Sequence, residues 1–133
     1  MMRKEILPWC LAWLLLLLSP YAFTAEETLN YNPVMEGLGG DPVRGQALAA
    51  ATDRFGESCF NCHMEGGSHF TDHHPFLNGQ KDMYLRLQIL DFIFLNRQSH
   101  IMNRVLVDYD AKKPRYTPQE VADIAAYFSG LPR

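Results

Sequence analysis

Cys59, Cys62 and His63 stand within one five-residue string, Cys59-Phe60-Asn61-Cys62-His63, and their sulfur and nitrogen atoms can form covalent bonds or hold a metal. C-x-x-C-H is the attachment signature of haem c. The spacing has a physical reason. Two cysteines three apart on a helical turn project to the same side, where each thiol can add across one haem vinyl group. The next residue then lies under the iron, and His63 can offer Nε2 as a ligand while its Nδ1 donates to a backbone carbonyl. Three other chemistries use the same atoms: a redox C-x-x-C, which needs a βαβ surround; a zinc site of Cys59, Cys62 and two of His69, His73 and His74; and a plain disulfide. Haem is the reading that uses all three residues.

The segments around this string must position it, and the first of them is read as temporary. Arg3 and Lys4 precede an apolar run from Ile6 to Leu18. Those residues would cover only about 20 Å as a helix, short of the roughly 30 Å hydrocarbon core. Residues 1–25 are therefore read as a signal peptide cleaved after Ala25, and an uncleaved anchor reaching Phe23 is the alternative. Cys10 leaves with this leader, so Cys59 and Cys62 are the cysteines of the mature chain. A single pair two residues apart is no disulfide framework. The mature 108 residues carry 10 basic and 14 acidic side chains. That length suits one small domain, and that charge argues against a nucleic-acid partner.

Residues 26–40, rich in Asn, Gly and Pro, read as an extended arm, and residues 41–133 as the domain. Asp41-Pro42 opens a helix whose Val43, Ala47, Ala50 and Ala51 share a face until Phe55-Gly56. Gly45 within it suggests close packing. Cys59 to His63 reads as a helical turn, followed by a Gly- and His-rich loop from Met64 to Gln80. A second long helix is expected from about Lys81 to Asn96, with Met83, Leu87, Leu90 and Phe94 on one stripe. Leu85, Ile89, Phe92 and Ile93 fill much of the remainder, so it needs cover on several sides. Thr117-Pro118-Gln119-Glu120 is a capping box, after which Val121, Ile124, Ala125 and Phe128 form a face that ends at Gly130 and Pro132. No strand of useful length is expected.

With these strings in order, the chain resembles the class I c-type cytochromes, of the small soluble mono-haem bacterial type, from Gly40 to Leu131. The matching strings are Gly40-Asp41-Pro42 with Arg44-Gly45, Cys59 to His63, Pro75-x-Leu77-x-Gly79-Gln80, Tyr84-Leu85-x-x-Gln88-Ile89-x-x-Phe92 and Ala125-Ala126-Tyr127-Phe128. Ile89 stands where the family carries Leu. The resemblance implies an all-α class I cytochrome c fold. Its N- and C-terminal helices cross, and its helices and loops wrap around one covalently bound haem.

At matching positions the resemblance implies that the Pro75 carbonyl accepts from His63 Nδ1, and that Gly45 lets the terminal helices cross near Tyr127 or Phe128. It further implies that Leu77, Tyr84 and Leu87 line the haem crevice, and that Met102 is the sixth ligand. His100 is the rival ligand, and a core methionine is the other role for Met102. Arg97 is a candidate partner for a haem propionate, or else a solvated arginine. The sequence also departs from the family pattern. Thirteen residues separate Gly45 from Cys59, Met64 replaces the common Gly, His100-Ile101 lacks the usual Pro, and the stretch from Asn103 to Tyr116 is long.

The function expected is that of a periplasmic single-electron carrier between redox proteins, with a membrane oxidase or dehydrogenase among the partners. No small-molecule substrate and no acid-base or nucleophile constellation is expected. The alternatives are a five-coordinate haem protein that binds peroxide or gas, and a subunit of a dehydrogenase or oxidase complex. For the subunit, the apolar helix around Ile89, Phe92 and Ile93 would be the docking face.

Overall fold

The first helix of the domain, α1 (Pro42–Ala50), starts where Asp41 caps it: the carboxylate accepts from the amides of Val43 at 2.9 Å and Arg44 at 3.2 Å. This is a computed structural model that describes residues 35–133 apart from 65, 66, 68–70 and 72. The signal-peptide reading and residues 26–34 of the arm therefore lie outside the described residues. Among the described residues, three helices and two short strands lie between α1 and the last helix: α2 (Cys59–His63), α3 (Asp82–Ile93), α4 (His100–Leu106), β1 (Val107–Asp108) and β2 (Lys113–Pro114); the last helix is α5 (Pro118–Ser129).

Helix α1 ends at Ala50, short of the expected Phe55. The reason is Asp53. Its carboxylate takes the amides of Phe55 (2.8 Å) and Glu57 (2.9 Å), and its own amide donates to the Glu57 carbonyl at 2.8 Å. These bonds close a small loop in place of a further helical turn, and Gly56 supplies its positive φ of 77°. The expected face of α1 is also corrected. Val43 is 77% exposed, and Gly45 and Ala49 are the buried residues. The small residues face inward because α1 crosses α5 backbone against backbone. A Cβ on Gly45 would lie 1.9 Å from the Asp123 carbonyl oxygen. The crossing is therefore at Asp123 and Ile124, one turn before Tyr127 and Phe128.

Helix α5 follows its sequence closely. Thr117 Oγ1 accepts from the Glu120 amide and Glu120 Oε2 accepts from the Thr117 amide, which completes the capping box. Val121, Ile124, Ala125 and Phe128 are buried. Asp123, fully buried, ties the crossing together by accepting from the Asp41 amide (2.9 Å), Arg44 Nε (2.5 Å) and Gln119 Nε2 (3.0 Å).

Helix α3 buries Leu85, Arg86, Leu90 and Ile93. The expected stripe differs, since Phe94 lies past the helix end and is 41% exposed. Its apolar surplus is covered by the chain itself. Ile93 is buried and Ile89 and Phe92 pack against the core, so the docking face suggested by the sequence is turned inward. Arg86 is only 5% exposed; it pairs with Asp82 at 2.6 Å and donates from one nitrogen to the carbonyls of Met35 and Leu38, each at 2.7 Å. Residues 35–38 are thereby fastened to the core, with Met35 fully buried in a helical turn. The end of the expected arm is thus part of the packed domain.

Two apolar clusters result. One holds Met35, Leu90, Ile93, Leu106 and Val121. The other holds Ala49, Leu85, Ile124, Ala125 and Phe128, and Ile89 and Tyr116 pack against both. The strands form an antiparallel hairpin, with Val107 opposite Pro114 and Asp108 opposite Lys113. Asp108 accepts from the Asp110 and Ala111 amides at 3.1 and 3.0 Å. A two-residue strand is too short for alternation to register, which is why the sequence pattern carried no sign of it.

Two of the departures from the family pattern meet in space. Arg54, in the extra turn before α2, pairs with Asp110 of the hairpin at 2.6 Å. Glu57 pairs with Arg104 of α4, and the guanidinium groups of Arg54 and Arg104 both lie over the Phe55 ring, at 4.9 and 5.1 Å from its centroid.

Candidate functional site

Five residues make α2, and each has a local reason to be there. Ser58 caps the turn by accepting from the Asn61 amide at 3.2 Å. Asn61, the second intervening residue of the motif, donates from Nδ2 to the Gly56 carbonyl at 3.0 Å. Phe60, the first, sits 5.6 Å from the Tyr127 ring and edge-on to Phe128 at 6.1 Å. The intervening side chains thus fasten α2 to the loop before it and to α5, which leaves the cysteines and His63 for chemistry.

Both cysteines are free thiols here, not joined to each other. Burial pushes the Cys59 thiol up to about 11, and burial with the nearby Glu57 charge raises that of Cys62. Among the described residues no group of three or more His, Cys, Asp or Glu side chains is placed to hold a metal ion.

His63 is 6% exposed. Its Nδ1 lies 2.7 Å from the Pro75 carbonyl oxygen. A carbonyl can only accept, so Nδ1 carries the proton, and in a neutral ring Nε2 is then left with a free lone pair. Burial holds the ring below its ordinary pKa, partly offset by the Pro75 hydrogen bond. The neutral form is therefore the one present at neutral pH. Nε2 is buried without any hydrogen-bond partner. A buried lone pair with no partner costs free energy unless something fills that place, and an iron atom would. Haem c fits this set: two free thiols on one turn, an imidazole fixed by a backbone carbonyl, and an orphaned nitrogen beside them.

The other residues singled out by sequence fall into three places. Leu77 packs in the cluster of Ala49, Leu85, Ile124, Ala125 and Phe128, together with Cys59, Phe60 and Met64. Tyr84 is half exposed and Leu87 half buried, next to each other on the outer side of α3. Tyr84 lines an open depression with Phe76, Asn78, Gln80, Lys81 and Arg133. Met102 is half buried in α4 against the other cluster, whereas His100 opens that helix exposed to solvent. Arg97 is exposed, bonded to Gln88 and stacked 4.8 Å from the Phe92 ring centroid.

Sequence reasoning missed the part played by His74, which it placed in the loop from Met64 to Gln80 and named only as a candidate zinc ligand. It is half buried and meets the His63 ring edge-on at 5.9 Å, so it buttresses the ring plane. The loop has no periodicity that could have shown this; His73 is exposed and His69 lies outside the described residues. Also missed was Asn103, which is 4% exposed and makes three side-chain hydrogen bonds around the start of α4. The one available signal was Ser99, a good cap residue placed three before Met102.

Compared with curated proteins, the chain finds no match. The family model of cytochrome c matches residues 42–132, from the first residue of α1 through both cysteines, His63, Pro75 and Met102 to just short of the C-terminus. With a matched span well over half its length and a helical fold built around the C-x-x-C-H turn, the chain belongs to the cytochrome c family.

Proposed function

We propose that this member of the cytochrome c family is a mono-haem electron carrier, in which Cys59 and Cys62 form the thioether links, His63 is the fifth ligand and Met102 the sixth. The observation that carries the reading is the His63 ring: buried, pinned through Nδ1 to Pro75, and with Nε2 unpartnered beside two free thiols. When bound, haem supplies the one-electron iron couple. The chain's own residues do the rest. Pro75 and His74 set the plane of His63, Phe60 anchors the attachment turn to α5, and the two apolar clusters pack against Met102 on one side and Cys59 on the other. A thioether sixth ligand favours the reduced state and raises the potential, whereas an imidazole lowers it. Half-buried Met102 suits this role better than solvent-exposed His100. Leu77, Tyr84 and Leu87 are the proposed lining, and Arg97 with Gln88 the proposed contact for a propionate.

The reading extends to place and partners. The leader-like residues 1–25 support export to the periplasm, with electron exchange between soluble or membrane redox proteins there. Among the described residues no helix is long and apolar enough to cross a membrane.

The test is made on protein expressed with haem-attachment machinery. Intact mass should exceed the polypeptide by one haem, and the oxidised protein should show the long-wavelength sulfur-to-iron band. Met102→Ala should lose that band, and its survival would remove Met102 from the iron. A protein with no bound mass and no visible absorbance would overturn the whole reading. Rapid carbon monoxide binding by the reduced wild type would instead favour the five-coordinate alternative.

A further inference from the structure

We propose that Asn103 is a positioning residue whose buried amide holds Met102 in place for ligation, an inference that rests on Met102 being the sixth ligand. Helix α4 has seven residues, too few to be stable by propensity. It is attached to α3 by a loop that holds a strained residue: Leu95 has φ of 60°, the left-handed region that non-glycine residues adopt at a cost. Such a conformation persists only where surrounding contacts over-determine it.

The Leu95 and Arg97 amides donate to the Phe92 and Asp91 carbonyls and Gln98 Nε2 to the Leu95 carbonyl, and Asn103 joins this loop to α4. Its Nδ2 donates to the Phe92 carbonyl at 2.6 Å, near the C-terminus of α3, and to the Arg97 carbonyl in the loop at 3.2 Å. Its Oδ1 accepts from the Ser99 amide at 2.7 Å. Ser99 in turn caps α4, and its Oγ accepts from the amide of Met102 at 3.2 Å. The end of α3, the loop and the backbone of Met102 are therefore joined through one side chain that is 4% exposed. This arrangement resembles a reciprocal capping box, with the returning side chain at position 103. If the clasp is removed, the Phe92 and Arg97 carbonyls lose their donor and the Ser99 amide loses its acceptor, and the loop that leads into α4 and Met102 is free to relax around Leu95.

The experiment uses the full haem-loaded protein and two variants, Asn103→Ala and Ser99→Ala. Exogenous imidazole competes with Met102 for ferric iron, so its apparent affinity reports how firmly the methionine is held. Losing these hydrogen bonds predicts at least about tenfold tighter imidazole binding in Asn103→Ala and a smaller gain in Ser99→Ala. In a urea titration the sulfur-to-iron band should vanish before the far-UV helical signal in the variants, while the two coincide in the wild type. A merely structural role would move both signals together and leave imidazole affinity unchanged, and that result in both variants overturns the proposal. If Asn103→Ala does not fold, Ser99→Ala alone decides by the same two measurements. A wild type with bound haem but no sulfur band removes the ligand assignment, and this inference with it, without touching haem attachment.

Discussion

Gly45→Ala sets a local gain against a tertiary cost. Alanine in a helix interior is favoured over glycine by about 1 kcal/mol, so α1 considered alone would be stabilised. The crossing opposes this. The new Cβ would sit 1.9 Å from the Asp123 carbonyl oxygen and 2.4 Å from its carbon, whereas ordinary contact begins at 3.4 Å. Both are backbone atoms, so no side chain can swing aside, and α1 must move away from α5 by about 1.5 Å, the difference between contact and clash. Overpacking of this kind costs about 1–3 kcal/mol. The same displacement stretches the bonds of Asp123 to the Asp41 amide (2.9 Å) and to Arg44 Nε (2.5 Å), which adds about 1–3 kcal/mol for hydrogen bonds to a charged group. The net expectation is a loss of about 1–5 kcal/mol, centred near 3. For a domain of this size that lowers Tm by about 10–25 °C, out of a total stability of about 5–15 kcal/mol. Thermal melts followed by far-UV circular dichroism measure it. Gly37→Ala is the control, because nothing lies within 4 Å of a Cβ there, and it should melt within about 2 °C of wild type. A Gly45→Ala protein as stable as wild type would refute the backbone-to-backbone crossing.

Asp123 should govern the acid limb of stability. Burial acts to raise its carboxyl pKa, but Arg44, the Asp41 amide and Gln119 outweigh it and hold the group down to about 2. A carboxyl lowered on folding stabilises the protein above its unfolded pKa near 4, and that contribution fades as pH falls toward 2. Because Arg44 is half exposed, the contribution is about 1–2 kcal/mol. Asp123→Asn should flatten the stability profile between pH 4 and pH 2, and parallel profiles for variant and wild type would argue against the assignment. Glu57 and Arg104 should be coupled: a double-mutant cycle with Glu57→Gln and Arg104→Gln should return about 1 kcal/mol by urea unfolding, and a coupling near zero would show the pair to be an incidental surface contact.

Some of this protein could be read directly from neighbouring residues. The C-x-x-C-H turn, the Asp41-Pro42 start and the Thr117–Glu120 capping box rest on spacing and hydrogen bonds within one helical turn, so adjacent residue types suffice to specify them. Helix α5 also showed its buried face, because a helix lying in the centre of a fold carries its apolar stripe openly. Tertiary structure alone decided the rest. The buried face of α1 is its small residues and not Val43, since the gap to α5 admits no side chain at Gly45. His63 owes its tautomer to a carbonyl twelve residues away and its buttress to His74. Asn103 and Asp123 look like ordinary polar helix residues in the sequence, yet each is buried at a junction. Whether a polar side chain faces water or three hydrogen-bond partners depends on what packs against it, and those partners lie far along the chain or at the ends of other elements, where no local pattern records them.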